Sequence, residues 1–203
     1  MQMNINYQKE LDQLLSQIQN KPKPPTLLLH SCCAPCSSYV LEYLNQYFEI
    51  TIYFYNPNLD TELEFMHRAK EQLRLINEMP LKQPVKGIIV PYCNQPFLQA
   101  VKGLEAEPEG GARCEKCFTL RLSKTAEYAA QNGFDFFTTT LTISPLKNAA
   151  LLNQIGLQTA KNYGVAFLPS DFKKKGGYLR SSQLSSQYGL YRQNYCGCLF
   201  SKK

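Results

Sequence analysis

No stretch of this 203-residue sequence approaches the roughly 18 apolar residues that a membrane-crossing helix requires. The N-terminal residues MQMNINYQKE also lack the charged-then-apolar form of a secretory signal. A cytoplasmic location with no membrane partner is therefore expected. There is no internal repeat and no low-complexity tract, so a repeat array is not expected either. Histidine is scarce, with two in all. His30 reads as a satisfied, partly buried side chain and His67 as helix surface. With 44% hydrophobic and 19% charged residues, the composition is that of a soluble globular protein. The length suits one domain, or one domain with a modest extension, and is enough to bury a real core.

What the sequence does hold is sulfur. The stretch His30-Ser31-Cys32-Cys33-Ala34-Pro35-Cys36 follows the apolar run Leu27-Leu28-Leu29 and carries three of the eight cysteines. Cys114 and Cys117 form a CxxC, Cys196 and Cys198 a CxC, and Cys93 stands alone and reads as incidental. In a reducing compartment such grouping favours ligation or catalysis over a stapling disulfide framework. The 22 Lys+Arg against 16 Asp+Glu give a net charge of +6. That permits a polyanionic partner and equally serves solubility.

Leu11, Leu14, Leu15 and Ile18 predict an amphipathic helix over Tyr7–Ile18. Lys21-Pro22-Lys23-Pro24-Pro25 cannot be helix or central strand and reads as a linker. It divides an N-terminal helix with its linker, residues 1–25, from a single α/β domain over residues 26–203. A buried strand at Leu27–His30 leads into the cysteine loop and a helix over Cys36–Gln46. A strand at Ile50–Tyr55 follows, then a helix over Thr61–Met79 with Leu63, Met66, Leu73 and Ile76 inward, then a strand at Gly87–Val90. A short helix near Pro96–Lys102 and the loop Glu105–Gly111 come next. The second cysteine pair opens a helix to about Asn132, closed by Gly133. Phe134–Leu141 is a strand, Lys147–Tyr163 a helix closed by Gly164, and Val165–Leu168 another strand. Alternation of this kind predicts a parallel sheet with helices on both faces. The functional crevice of such a sheet lies beyond the carboxyl ends of its strands. The loop after Leu29, Ser144-Pro145 and Pro169-Ser170-Asp171 are expected there.

Adjacent cysteines chelate one small ion awkwardly because their side chains diverge, yet each can reach a different iron of a cluster. A CxxC at a helix start turns both sulfurs to one side, where the helix N-terminus favours the thiolate. Cys32, Cys33, Cys114 and Cys117 together supply the ligand number of a 4Fe-4S cubane. A four-cysteine zinc site is the competing reading, although zinc patterns usually repeat CxxC and the first pair here is adjacent. Cys36 is either a small buried side chain or a further ligand, to the cluster or to a second metal beside it. Cys196-Gly197-Cys198 can close a small, strained and easily reduced ring, which suits an electron relay, or it can supply metal ligands. Both readings need Cys196 and Cys198 near the cysteine loop.

Lys173, Lys174 and Tyr178 with Arg180 form a basic, glycine-loosened loop carrying an aromatic. Such a loop suits phosphate contact and base stacking, and equally a solvated surface. Asp171 suits proton transfer or orientation of a substrate hydroxyl, and equally an ordinary cap. Arg113 is a further substrate candidate.

Together these residues amount to a family pattern. It runs through LLLHSCCAPCS at 27 to 37, FYNPN at 54 to 58 and KGLEAEPEGGARCEKCFTLRL at 102 to 122. It continues through FTTTLTISPLKN at 137 to 148, FLPSDFKKKGGYLRS at 167 to 181 and YGLYRQNYCGC at 188 to 198. The sequence thereby resembles the cobalamin-independent epoxyqueuosine reductases of the QueH type, with only the first two dozen residues and the last few outside the match.

The resemblance implies the last step of queuosine synthesis, removal of the epoxide oxygen of epoxyqueuosine in the tRNA anticodon loop to leave the cyclopentene. It implies a nucleotide-alpha-hydrolase (HUP)-like, Rossmann-related fold and a 4Fe-4S cluster on Cys32, Cys33, Cys114 and Cys117. It also implies a redox-active pair at Cys196 and Cys198, an unidentified electron donor and no cobalamin. Some relatives have a carboxylate where this chain has Cys36, and an extra iron is associated with that neighbourhood. Thiolate is softer than carboxylate, so a second metal here would differ in identity or be absent. Cys93 lies outside the shared motifs.

Two rivals follow from the same residues. A tRNA-modifying ATP pyrophosphatase of this fold would need a glycine-rich SGGxDS-like phosphate loop after the first strand, where HSCCAPC stands. A zinc-stabilised RNA-binding module without catalysis would be colourless and would tolerate loss of Cys196 and Cys198.

Overall fold

The computed structural model describes residues 5–19 and 22–202. Residues 1–4 and Lys21 of the proline-rich linker lie outside the described residues. Helix α1 (Tyr7–Ile18) is capped by the Asn6 side chain, which accepts the Lys9 N–H at 3.1 Å. Its Leu11, Leu15 and Ile18 are buried in the main core.

Five parallel strands follow the order β3-β2-β1-β4-β5. They are β1 (Thr26–His30), β2 (Glu49–Phe54), β3 (Lys86–Ile89), β4 (Phe136–Thr139) and β5 (Ala166–Phe167). Successive residues of a strand face opposite sides, and in β1 both sides are apolar. Leu27 and Leu29 join the core that holds α1, while Leu28 joins a second core with Phe137 and Phe167. A strand buried on both faces reads as a continuous apolar run, which is why LLL was legible. The fold is α/β, a parallel sheet flanked by helices, HUP-like and Rossmann-related.

The first crossover carries α2 (Ala34–Leu44) and the second α3 (Glu62–Glu78); α4 (Gln95–Ala100) and α5 (Ala112–Gln131) lead into β4. α6 (Ala149–Tyr163) packs on α5, and α7 (Gly177–Gln187) packs on α2. The end of α6 illustrates a left-handed glycine cap: Gly164 has φ 69° and returns its N–H to the Ala160 carbonyl.

Three expectations need correction. On α3, Leu63 is 85% exposed, and Met66 and Leu73 also face outward, with only Ile76 of the predicted stripe against the core. The inward face is instead Phe65, Arg68, Ala69, Gln72 and Leu75, because Gln72 bonds buried serines and Arg68 turns toward the site. The predicted strand to Leu141 ends at Thr139, where Thr139 Oγ1 accepts the Leu141 N–H and starts a 3-10 turn over Thr140–Ile143. The segment read as a loop around Tyr178 and Arg180 is the start of α7.

The strand order locates the crevice. From β1 the chain moves outward through β2 and β3, then returns to lay β4 on the other side of β1. The loops after β1 and β4 therefore part at a topological switch point, where sheets of this kind bind ligands.

Candidate functional site

The cysteine loop is pinned before it reaches the first thiol. Ser31 Oγ lies 2.6 Å from both Ser37 Oγ and Gln72 Oε1, and Asn56 Nδ2 donates to the Ser31 carbonyl at 2.9 Å. Cys33 is the extended residue preceding α2, with Pro35 in the first turn where a missing N–H costs nothing. The thiols thus sit at the positive end of α2. Cys32 Sγ is 3.7 Å from Cys33 Sγ, and the sulfurs of Cys32, Cys33 and Cys36 all lie within 4.8 Å of one another. Among the described residues this is the one group of three or more Cys, His or carboxylate side chains spaced to share an ion.

Their protons are unequal. Hydrogen bonds from Cys33 and Cys36 hold Cys32 well below the ordinary thiol range, against burial and helped by the charges of Arg121 and Lys147. Donation to Cys32 pushes Cys33 up to about 12 and Cys36 well above its ordinary value. Negative charge on this triad is thus favoured at Cys32 over Cys33 and Cys36.

Arg121 is 1% exposed and has no carboxylate partner among the described residues. Its Nη2 donates to Asn56 Oδ1 at 2.6 Å, its Nε faces His30 Nε2 at 3.3 Å and its Nη1 faces Cys117 Sγ at 4.0 Å. A buried guanidinium without a carboxylate needs other negative charge, and the thiols are the groups at hand. Burial and then Arg121 bring His30 down to about 3, so the imidazole is neutral. His30 Nδ1 lies 2.8 Å from Thr139 Oγ1.

A cavity of about 860 Å³ opens over this loop, lined among others by Cys32, Cys33, Cys36 and Cys196. Its cationic lining is Arg68, Arg121, Lys147, Arg192 and Lys202 against one carboxylate, Glu109. A second space of about 30 Å³ is walled by Cys114, Cys117, Cys196 and Cys198. Lys147 and Cys196 border both spaces. Cys32 and Cys114 pack against one apolar group that includes Phe118 and Leu141, and Cys117 packs with Cys198. Lys147 is depressed by burial, but the charges of Cys196, Cys32 and Cys36 outweigh this and raise its pKa.

The C-terminal segment that brings Cys196 and Cys198 here is fastened to α3 and to Asp60, two residues before it. Arg74 Nη2 donates to the Tyr188 carbonyl at 3.0 Å, and Glu71 accepts the Tyr191 N–H at 3.0 Å. Tyr191 OH donates to Glu64, and Asp60 accepts from Tyr195 OH at 2.9 Å and pairs with Lys202.

The family model described as epoxyqueuosine reductase QueH matches residues 27–203. The chain belongs to the QueH family. A relative named epoxyqueuosine reductase QueH from Staphylococcus epidermidis is 46% identical over 201 residues, covering 97% of this chain and 84% of its own. The Streptococcus pyogenes relative of the same name is 43% identical, covering 98% and 79%. The Thermotoga maritima one is 35% identical, covering 87% and 90%. As a QueH-family member the chain is an oxidoreductase, and among the described residues no helix is long and apolar enough to cross a membrane.

Seven of the eight cysteines meet around the QueH-family motifs, whereas Cys93 is exposed and lines neither cavity. The substrate candidates scatter. Tyr178 reaches the larger cavity, and Arg113 borders the smaller one while donating to the Glu105 and Glu107 carbonyls. Asp171 is ion-paired with Lys173 at 2.6 Å, and Arg180 is paired with Glu42 through two bonds of 2.9 and 2.6 Å. Those three and Lys174 line neither cavity. Sequence reasoning missed Arg68, Arg121 and Lys147. Arg121 and Lys147 lie within the quoted motifs, and Arg121 follows Cys117 by one helical turn, a spacing that places both on one face.

Proposed function

We propose that the chain reduces epoxyqueuosine in the tRNA anticodon loop to queuosine, working in the cytoplasm with its catalytic machinery in residues 26–203. The observation that carries this reading is the meeting of Cys32, Cys33, Cys36, Lys147 and Cys196 on one cavity. That cavity is large enough for a nucleoside and bears excess positive charge suited to a polyanion.

The donor set is all thiol, all eight cysteines are free, and buried Arg121 needs anionic neighbours. This suits soft-metal ligation. In the proposal Cys32, Cys33, Cys114 and Cys117 hold a 4Fe-4S cluster, and Cys36 is the ligand available to an additional iron or other metal ion. When bound, such a cluster passes electrons singly.

The chain's own residues do the rest. Cys196 and Cys198 lose two protons and two electrons and form one S–S bond. The epoxide takes up two electrons and two protons, breaks both C–O bonds and leaves as an alkene and water. Lys147 borders both cavities, where its ammonium can serve a leaving oxygen as a hydrogen-bond donor. Arg121 stays fixed and favours negative charge at Cys32 and at Cys117, where burial pushes the thiol up to about 12 and the guanidinium acts against it. An external donor, unidentified, reduces the disulfide again.

The test is anaerobic turnover with tRNA carrying epoxyqueuosine, read as loss of one oxygen from the nucleoside. Wild-type protein should yield queuosine, and Cys198→Ser should abolish turnover while keeping the wild-type absorption spectrum. No product from the metal-loaded wild type overturns the function, and full activity of Cys198→Ser overturns the dithiol role.

A further inference from the structure

Arg68 sits in the middle of α3 with 2% of its surface exposed. Its Nε donates to Glu64 Oε1 at 2.7 Å and its Nη1 to the Cys196 carbonyl at 3.3 Å, while its guanidinium lies 5.5 Å from the centre of the Tyr195 ring. The next residue, Gly197, has φ +100°, a conformation that side-chain-bearing residues rarely adopt. A methyl group added there would collide with Leu59 Cδ2 and come 3.0 and 3.1 Å from the two terminal nitrogens of Arg68. On the other side the Gly197 carbonyl accepts the Asp60 N–H at 2.9 Å. The Cys196-Gly197-Cys198 turn is therefore held at consecutive carbonyls and walled at the intervening Cα, all by residues 59–68.

We propose that Arg68 is the positioning residue of this turn: its guanidinium fork, clamped by Glu64, fixes the Cys196 carbonyl and the open side of Gly197 so that the two thiols are held in the conformation from which they close on each other. The proposal rests on the dithiol reading above for its place in the reaction, but the geometry stands by itself. A turn already ordered loses less freedom when its ring closes, so closure is more favourable. A lysine cannot replace the fork, because one ammonium does not reproduce a planar pair of donors aimed at Glu64 and at the Cys196 carbonyl.

The test measures disulfide formation directly. Full-length protein is equilibrated with glutathione redox buffers, thiols are trapped by alkylation, and the peptide containing Cys196 and Cys198 is read by mass spectrometry. Arg68→Lys should lower the equilibrium constant for closing the Cys196–Cys198 disulfide by about tenfold, as expected from losing one charge-assisted hydrogen bond. Its KM for tRNA should stay near wild type while kcat falls. Gly197→Ala perturbs the same contact from the other side and should lower the constant at least as much; it serves if Arg68→Lys does not fold. A constant within twofold of wild type in whichever variant folds overturns the proposal. If the constants shift but Cys198→Ser remains fully active, Arg68 still positions the turn and only the dithiol step fails.

Discussion

Arg121 Nη1 lies 4.0 Å from Cys117 Sγ, one helical turn away, and the guanidinium is 1% exposed with no carboxylate partner among the described residues. The residue ties His30 and Asn56 to the cysteine-bearing helix and sets positive charge among the thiols. Arg121→Met keeps the stem but leaves Asn56 Oδ1 buried without its donor. The variant should lose about 2 to 3 kcal/mol in urea unfolding of reduced protein, and its iron content should fall. Unchanged stability and metal content would contradict the role given to the guanidinium.

Lys147 borders both cavities and faces Cys32, Cys36 and Cys196. Lys147→Met should reduce single-turnover rate by about 100-fold, the scale of losing one preorganised hydrogen-bond donor to the leaving oxygen, with iron per chain near wild type. A rate within threefold of wild type would remove Lys147 from the reaction.

The face of α3 gives a contrasting pair of stability measurements. Leu63 is 85% exposed and Phe65 is 2% exposed. Leu63→Gln should change stability by less than about 0.5 kcal/mol, whereas Phe65→Ala should cost about 3 to 5 kcal/mol. The reverse order would restore the face expected from the leucine spacing.

The legibility of the sequence differed from element to element for reasons visible at those residues. α1 is readable to its ends because Leu11, Leu15 and Ile18 dominate its inward face, and β1 because burial on both sides makes a continuous apolar run. α3 misled because its inward face includes Arg68 and Gln72, which hydropathy assigns to solvent. α7 was missed because its buried positions, Gly177, Ser181, Leu184 and Ser185, carry the helical period mostly in small residues. At the site the thiols announced themselves. Lys147 and Arg121 did not, since a lone cation has no periodicity and only the return of β4 beside β1 brings Lys147 to the cysteine loop.

Acid should loosen the C-terminal segment. Burial raises the Asp60 carboxyl, but its bonds to Lys202 and Tyr195 outweigh this and leave it below the ordinary carboxylate value. The unfolded chain then binds more protons than the folded one near the unfolded value of about 3.9, so stability rises with pH there. The contribution is fully present above that value and disappears as pH falls through the folded one. Thermal unfolding scans from pH 6 down to pH 3 should show wild type losing stability faster than Asp60→Asn. Parallel curves would mean that Asp60 does not anchor the segment.

The proposed reaction requires that the thiols around β1 and α5 hold an iron-sulfur cluster. Its most direct test is iron, sulfide and zinc analysis of anaerobically purified protein together with its absorption spectrum. Protein that holds the proposed cluster should contain about four iron and four sulfide per chain and show a cluster absorption band. Protein produced under cluster-sparing conditions that contains zinc and neither iron nor sulfide would contradict it.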